Sequence, residues 1–259
     1  MAVKSYRSYW DFTFSVTHHW RYSKSVDQVE FLKAVLGTSI SRQQTLPAGA
    51  MLWRAQLGNE WDVEEDEGEK FEVPSPFNPD RMKPLTDRAS EGRANPQGIP
   101  CLYTATCQAT AIAEVRPWIG SYVSIVQFRL RRQVRVVDCM TNDKRLMAYA
   151  SEPEPPERKR EVWQDIDRAF SRPVTRSEDR ADYAPTQVIS EFFRENGLDG
   201  VAYGSSLGRG HNVALFDTQV ADLVSCGLVE IRGIKLHFES AGNWYTVEPH
   251  EAKDAGESK

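Results

Sequence analysis

The stretch from Gly92 to Glu114 constrains the fold more tightly than any other part of this 259-residue chain. It divides into three physical units. Asn95-Pro96-Gln97-Gly98 is a turn, because proline presets φ at its second position and glycine tolerates the conformation that closes it. Cys101-Leu102-Tyr103-Thr104 has the apolar, aromatic and β-branched content of a short strand. Thr106 then supplies a hydroxyl able to cap a helix starting at Cys107. In that helix Ala109, Ala111, Ile112, Ala113 and Val115 surround the axis, and only Thr110 and Glu114, one turn apart, stay polar. A carboxylate on an otherwise apolar helix must face solvent or a polar cleft. Arg93 and Tyr103 lie on the two elements just before it. Together they form a candidate anion-and-ribose site.

Length and composition bound the rest. A chain of this size buries a full core in one large or two small domains. Its net charge of -5 offers no basic field for a phosphate backbone, so direct nucleic-acid binding is not expected. No apolar run reaches about 18 residues, so no membrane helix is expected. The first ten residues lack the apolar core of a signal peptide. Cys101, Cys107, Cys139 and Cys226 show no C-x-x-C spacing, which argues against zinc and redox motifs and for reduced thiols in the cytoplasm.

Along the chain, residues 1–48 read as an N-terminal extension. It holds Tyr6, Tyr9, Trp10, Phe12, Phe14, Trp20 and Tyr22 as a packed aromatic segment. One short helix follows, opened by an Asp27/Glu30 capping box and ended at Gly37. A central domain spans 49–220. Ala50 to Ala55 begins it as a strand, and Asn59 to about Glu91 reads as a long acidic loop built on Glu64-Glu65-Asp66-Glu67-Gly68-Glu69. Strands are expected over Tyr122–Leu130, Val134–Asp138, Leu198–Tyr203 and Val213–Phe216, with helices near Arg158–Phe170 and Pro185–Glu195. Residues 221–259 hold a terminal hairpin from Ile231–Glu239 and Trp244–Val247, then a polar tail.

Four places put anion-binding or reactive side chains at strand ends or turns: Arg54, Gly92-Arg93, Tyr103 to Glu114, and Tyr203-Gly204-Ser205-Ser206. Arginine binds phosphate oxygens in bidentate fashion, and two of them suit a pyrophosphate. A tyrosine ring suits a flat heterocycle, and a glutamate suits a ribose hydroxyl or a developing oxocarbenium ion. The combination fits attack at C1 of a nucleotide ribose, as in NAD. Taken singly, each residue also has a structural reading: a surface arginine, a solvated glutamate, a core tyrosine, a serine turn. No G-x-S-x-G surrounds Ser205, Gly208-Arg209-Gly210 is not followed by G-K-[ST], and His18-His19 lacks metal-ligand spacing.

The blocks Trp53-Arg54-Ala55, Gly92 to Gly98, Leu102-Tyr103, Ala111 to Glu114, Tyr183 with Thr186, Asp199 to Ser206 and Val213 to Phe216 resemble the RES domain. That resemblance implies an ADP-ribosyltransferase-like fold of mixed α/β (α+β) sheets with flanking helices, carrying here a small aromatic and helical N-terminal extension. It implies an NAD-consuming toxin of a bacterial toxin–antitoxin pair, cleaving the nicotinamide–ribose bond by hydrolysis or phosphorolysis. NAD would be the substrate, with no further cofactor and no metal. A cognate antitoxin with a helix-turn-helix DNA-binding domain would be the protein partner, and a homo-oligomer is compatible with it. Carried over by motif, Arg54 and Arg93 would bind the dinucleotide, Tyr103 would stack near nicotinamide, Glu114 would be the central catalytic group, and Ser205, beside Ser206, would complete the pocket. Two alternatives stand beside this reading: transfer of ADP-ribose to a protein or nucleic acid, and a non-catalytic binding module using the same pocket or the acidic loop.

Overall fold

The computed structural model describes residues 2–85, 88–141, 149–172, 180–235 and 238–243. At the N-terminus two helices form where one was expected. The first, α1 (Ser8–His18), buries Tyr9, Phe12 and Val16, spaced three and four apart on one face. Trp10 and Phe14 lie on the opposite face and are exposed, as are Trp20 and Tyr22, so the aromatic leader is only half packed. The second, α2 (Val26–Ser39), stacks its Phe31 on Phe12, ring centroids 4.5 Å apart.

Its start and end both depart from expectation. Ser25, not Asp27, is the cap: its hydroxyl accepts from the Gln28 amide while the Gln28 carboxamide accepts from the Ser25 amide. Serine and glutamine three apart satisfy the same two free donors as the expected acidic pair. The helix also runs through Gly37 to Ser39. The hydroxyls of Thr38 and Ser39 secure that last turn by donating to the Ala34 and Leu36 carbonyls.

The remaining elements are β1 (Gln43–Leu46), β2 (Met51–Leu57), β3 (Glu60–Asp66), β4 (Glu69–Ser75), β5 (Leu102–Ala105), α3 (Gln108–Glu114), β6 (Tyr122–Leu130), β7 (Val134–Asp138), α4 (Pro155–Ser171), α5 (Ala184–Glu195), β8 (Gly200–Gly204), β9 (His211–Leu215) and β10 (Ala221–Glu230). Eight strands make one mixed sheet in the order β1-β7-β8-β9-β5-β2-β6-β10. Among the strands of the described residues only β7 and β8 pair in parallel, and α4 and α5 lie in the crossover that joins them. The fold is therefore the expected mixed α/β sheet with flanking helices.

Side-chain alternation divides the interior into two cores. Val137, Val201, Tyr203 and Ala214 point to one face, where Trp163, Ile166 and Phe170 of α4 and Val188, Ile189 and Phe193 of α5 cover them. The intervening Val136, Ala202, Val213 and Leu215 point to the other, together with Leu52 and Phe128 from β2 and β6. The second core draws on strands from both halves of the sheet order, so the sheet curls over it. Phe77 and Met82, from the chain following β4, close it.

β8 and β9 approach so closely that Gly200 has no room for a side chain. A Cβ there would fall 2.3 Å from the Ala214 carbonyl oxygen. Gly200→Ala is expected to destabilise the protein by about 1–3 kcal/mol, read as a lowered urea midpoint at unchanged slope. An unchanged midpoint would mean that the two strands separate without cost.

The expected acidic loop is partly a hairpin. β3 and β4 pair in register from Glu60↔Ser75 to Asp66↔Glu69 and form a separate two-stranded sheet. Glu67 and Gly68 close it with φ of 49° and 87°, the left-handed pair of a type I′ turn. Charges at Glu64 to Glu69 hide the strand alternation, which survives in Trp61, Val63, Phe71 and Val73. At the C-terminus the strand lies earlier than expected, at β10. Residues 231–235 and 238–239 form no strand, and Trp244–Val247 and the polar tail lie outside the described residues. β10 was hidden by Gly227 and by the register shift between Leu223 and Ser225.

Candidate functional site

β5 and α3 deliver Tyr103 and Glu114 to one end of a cavity. The turn into α3 is not capped as expected. Cys107, in extended conformation, is the cap residue and makes no side-chain cap bond. Thr106 instead exchanges hydrogen bonds with the backbone of His211, because β9 runs alongside and claims its hydroxyl. Thr110 is buried, and its hydroxyl accepts from the Gly210 amide at 2.9 Å. The loop 205–210 packs directly on this helix: a Cβ on Gly208 would fall 2.6 Å from Thr110 Oγ1. That close approach brings Ser205 to Glu114.

Glu114 sits at the last residue of α3, with its carboxylate exposed to the cavity. Ser205 Oγ donates to Oε1 at 2.6 Å, and Asn212 Nδ2 donates to the same oxygen at 2.8 Å. Ser205 Oγ in turn accepts from the amides of Leu207 (3.1 Å) and Gly208 (2.9 Å). Its single proton and both lone pairs are thus engaged. Ser205 orients Glu114; its oxygen is not presented as a nucleophile. Ser206 lines the same cavity.

Arg54, on β2, reaches the site from beneath. Its Nη1 donates to the Tyr103 carbonyl at 3.1 Å, while its Nε is buried without a hydrogen-bond partner. Burial pulls this guanidinium below its ordinary pKa. That Nε–H is shut away from solvent, so Arg54 meets the cavity through the rest of its guanidinium. Tyr103 donates to Asn95 Oδ1 at 2.7 Å and accepts from the Ala94 amide at 2.8 Å. Burial holds its phenol well above the usual pKa, so it stays neutral. The hydroxyl is consumed by the 95–98 turn, and the ring remains to line the cavity.

Arg93 behaves differently from Arg54. Its Nη1 donates to the Ala169 carbonyl at 2.6 Å and its Nη2 to the Arg172 carbonyl, with Tyr183 under the guanidinium at 5.3 Å. The last carbonyls of α4 lack partners within the helix and carry the negative end of its dipole, so a cation settles there. Arg93 therefore lines the cavity while bracing the end of α4.

The cavity holds about 600 Å³ and continues into a second lobe of about 490 Å³. Arg54, Tyr103, Glu114, Tyr203 and Asn212 line both and so mark the junction. The first lobe is cationic: Arg54, Arg81, Arg88, Arg93, Arg116, Arg172 and Lys83 face two carboxylates, Glu91 and Glu114, among the described residues. The second is walled by Trp53, Ala55, Leu57, Ala105, Ala111 and Val115. One lobe suits phosphates and the other a flat, weakly polar ring, and the Glu114 carboxylate stands between them.

Tyr203, named in the sequence only as the head of the 203–206 turn, is a wall of both lobes, whereas sequence reasoning missed Asn212 as a ligand of Glu114. Tyr203 packs on Phe170 with centroids 5.6 Å apart. Asn212 is buried opposite Tyr203 in the β8–β9 pair. A buried amide heading the apolar run Val213 to Phe216 was its signal. Asn212→Ala should lower turnover about tenfold with little change in KM, because it loosens Glu114 while leaving the arginines of the cationic lobe in place. Steady-state kinetics beside a melting curve check this; a fall only in proportion to lost folded protein would make Asn212 structural.

The RES domain model matches residues 60–238. The chain belongs to the RES domain family. Arg54 lies just ahead of the matched stretch, yet its strand β2 pairs with β5 and β6 inside it. Among solved structures, a chain of the crystal structure of the M. tuberculosis MbcT–MbcA toxin–antitoxin complex is similar at 13% identity and a TM-score of 0.40, covering 76% of this chain and 92% of that one. No curated protein sequence matches significantly. Among the described residues no three His, Cys, Asp or Glu side chains gather as a metal site, and no helix is long and apolar enough to cross a membrane.

Proposed function

We propose that this RES domain protein cleaves the nicotinamide–ribose bond of NAD and acts as a bacterial toxin in the cytoplasm. The observation that carries the reading is Glu114: one carboxylate, oriented by two donors on one oxygen, at the junction of a cationic and an apolar lobe. The pyrophosphate lies against Arg54 and Arg93, and the nicotinamide ring lies in the apolar lobe beside Tyr103. The C1′–N bond breaks with its electron pair leaving on nicotinamide, whose positive charge is thereby neutralised. The ribose carries the resulting oxocarbenium charge, which the Glu114 carboxylate stabilises. An oxygen of water or phosphate then forms the C1′–O bond; an attacking water releases one proton to bulk solvent.

NAD is substrate here, and the chemistry requires no further cofactor or metal. An uncontrolled NAD-consuming enzyme would damage its host, so the reading includes an antitoxin protein, of the helix-turn-helix type, that blocks the site. Purified protein incubated with NAD, with nicotinamide release followed with and without phosphate or a protein acceptor, tests the reaction. Nicotinamide release without acceptor supports it. Release only with a macromolecule present would favour ADP-ribosyl transfer, and NAD binding without release would favour the binding-module reading.

A further inference from the structure

In a dinucleotide the ribose that carries nicotinamide lies between the pyrophosphate and the ring. With the pyrophosphate in the cationic lobe and the ring in the apolar one, this ribose must cross the junction where Glu114 stands. Its two neighbouring hydroxyls then leave water, and a hydroxyl desolvated without a partner costs affinity. Of the side chains that line both lobes, Arg54, Tyr103, Glu114 and Asn212 make the bonds described above. Two others, Gln56 and Tyr203, hold polar atoms that no described residue engages.

Gln56 follows Arg54 by two residues on β2 and so points to the same face. Its Nε2 donates to the Arg81 carbonyl at 3.1 Å. A carbonyl can only accept, so this bond fixes which end of the carboxamide is nitrogen. It leaves Oε1 at the junction as an acceptor held in place, with no hydrogen bond among the described residues.

Tyr203 is only 8% exposed, and its ring packs on Phe170. Its hydroxyl neither bonds to a described residue nor is sealed from solvent. With the rest of the side chain enclosed, that opening is the cavity it lines. Burial, reinforced by the Glu114 charge, holds the phenol above its ordinary pKa, so it keeps its proton and stays a donor. Gln56 comes from β2 and Tyr203 from β8, with β9 and β5 between them in the sheet order. The two therefore stand on different walls of the junction and leave the space between them to a ligand.

We propose that Gln56 and Tyr203 form a subsite for the vicinal hydroxyls of the ribose that carries nicotinamide. Gln56 Oε1 accepts from one hydroxyl, and the Tyr203 hydroxyl donates to the other. This rests on the reading of the site as a nicotinamide-dinucleotide pocket. Each sugar hydroxyl can both donate and accept, so one fixed acceptor and one fixed donor match the pair.

The test measures nicotinamide release from NAD and from analogues lacking the 2′- or the 3′-hydroxyl of that ribose, for the full chain and for Gln56→Leu and Tyr203→Phe. Comparing parent with variant on one substrate cancels the analogue's own reactivity. Each substitution is expected to lower kcat/KM for NAD about tenfold, and to cost little on the analogue that already lacks its hydroxyl partner. Gln56→Leu also releases the Arg81 carbonyl, so the contrast between substrates, not the absolute loss, is what counts for it. Tyr203→Phe breaks no bond within the protein and should leave the melting temperature unchanged. Losses equal on all three substrates, or no loss on NAD, would overturn the proposal. Calorimetric titration with ADP-ribose, which carries the diol, and with ADP, which does not, separates the subsite from the cleavage reading. Binding of ADP-ribose about tenfold tighter than ADP, with the gap closing in both variants, supports the subsite even if no dinucleotide is cleaved. Equal or absent binding overturns it.

Discussion

Glu114→Gln is expected to fold normally and to lose on the order of 100-fold or more in NAD turnover, about 3 kcal/mol of transition-state stabilisation. Glutamine keeps the shape of the side chain, and its carbonyl oxygen can still accept from Ser205 and Asn212, which hold Oε1 at 2.6 Å and 2.8 Å. What it lacks is the negative charge opposite the developing oxocarbenium ion. The loss should therefore appear in kcat, with KM nearly unchanged. Nicotinamide release measured on a variant with the parent's circular dichroism spectrum decides the matter. Turnover within a few-fold of the parent would remove Glu114 from the chemistry.

Arg54→Met gives the second large effect, and its two readouts move in opposite directions. Dinucleotide affinity should fall by roughly 1.5–3 kcal/mol, the worth of a charge-assisted contact. Stability should hold or rise, because methionine fills the volume without a buried charge whose Nε lacks a partner. Arg54→Lys should restore affinity only in part, since an ammonium has no fork. Titration calorimetry and a melting curve on the same samples suffice. A large loss of stability with affinity intact would make Arg54 a structural strut for the Tyr103 carbonyl rather than a ligand for phosphate.

Much of this architecture was legible because local pattern and tertiary demand coincide. Strands β6 and β7 carry plain apolar content and lie where expected, and so do α4 and α5. Arg54, Tyr103 and Glu114 do line one cavity, and Ser205 reaches it through its hydrogen bond to Glu114. Where the reading departed, tertiary structure decided. The acidic hairpin hid behind its charges. The Ser25 cap competed with an equally good acidic pair two residues on. Thr106 lost its capping role to a neighbouring strand that no local window contains. Arg93 looked equivalent to Arg54 in sequence, yet the end of α4 captures two of its N–H groups. Asn212 was invisible as a site residue because the partner that gives it meaning lies 98 positions away.

The β3–β4 ribbon has a consequence for the behaviour of the protein in concentrated solution. It pairs only with itself, so both outer edges present free backbone donors and acceptors, the template on which strands of separate molecules join. Exposed Trp61, Val63 and Phe71 would favour such joining. Eight carboxylates between Glu60 and Glu72, against the single Lys70, oppose it, because two ribbons brought edge to edge would align acid against acid. The acidic run thus opposes edge-to-edge joining of this open-edged ribbon, and its effect weakens as salt shortens the reach of that repulsion.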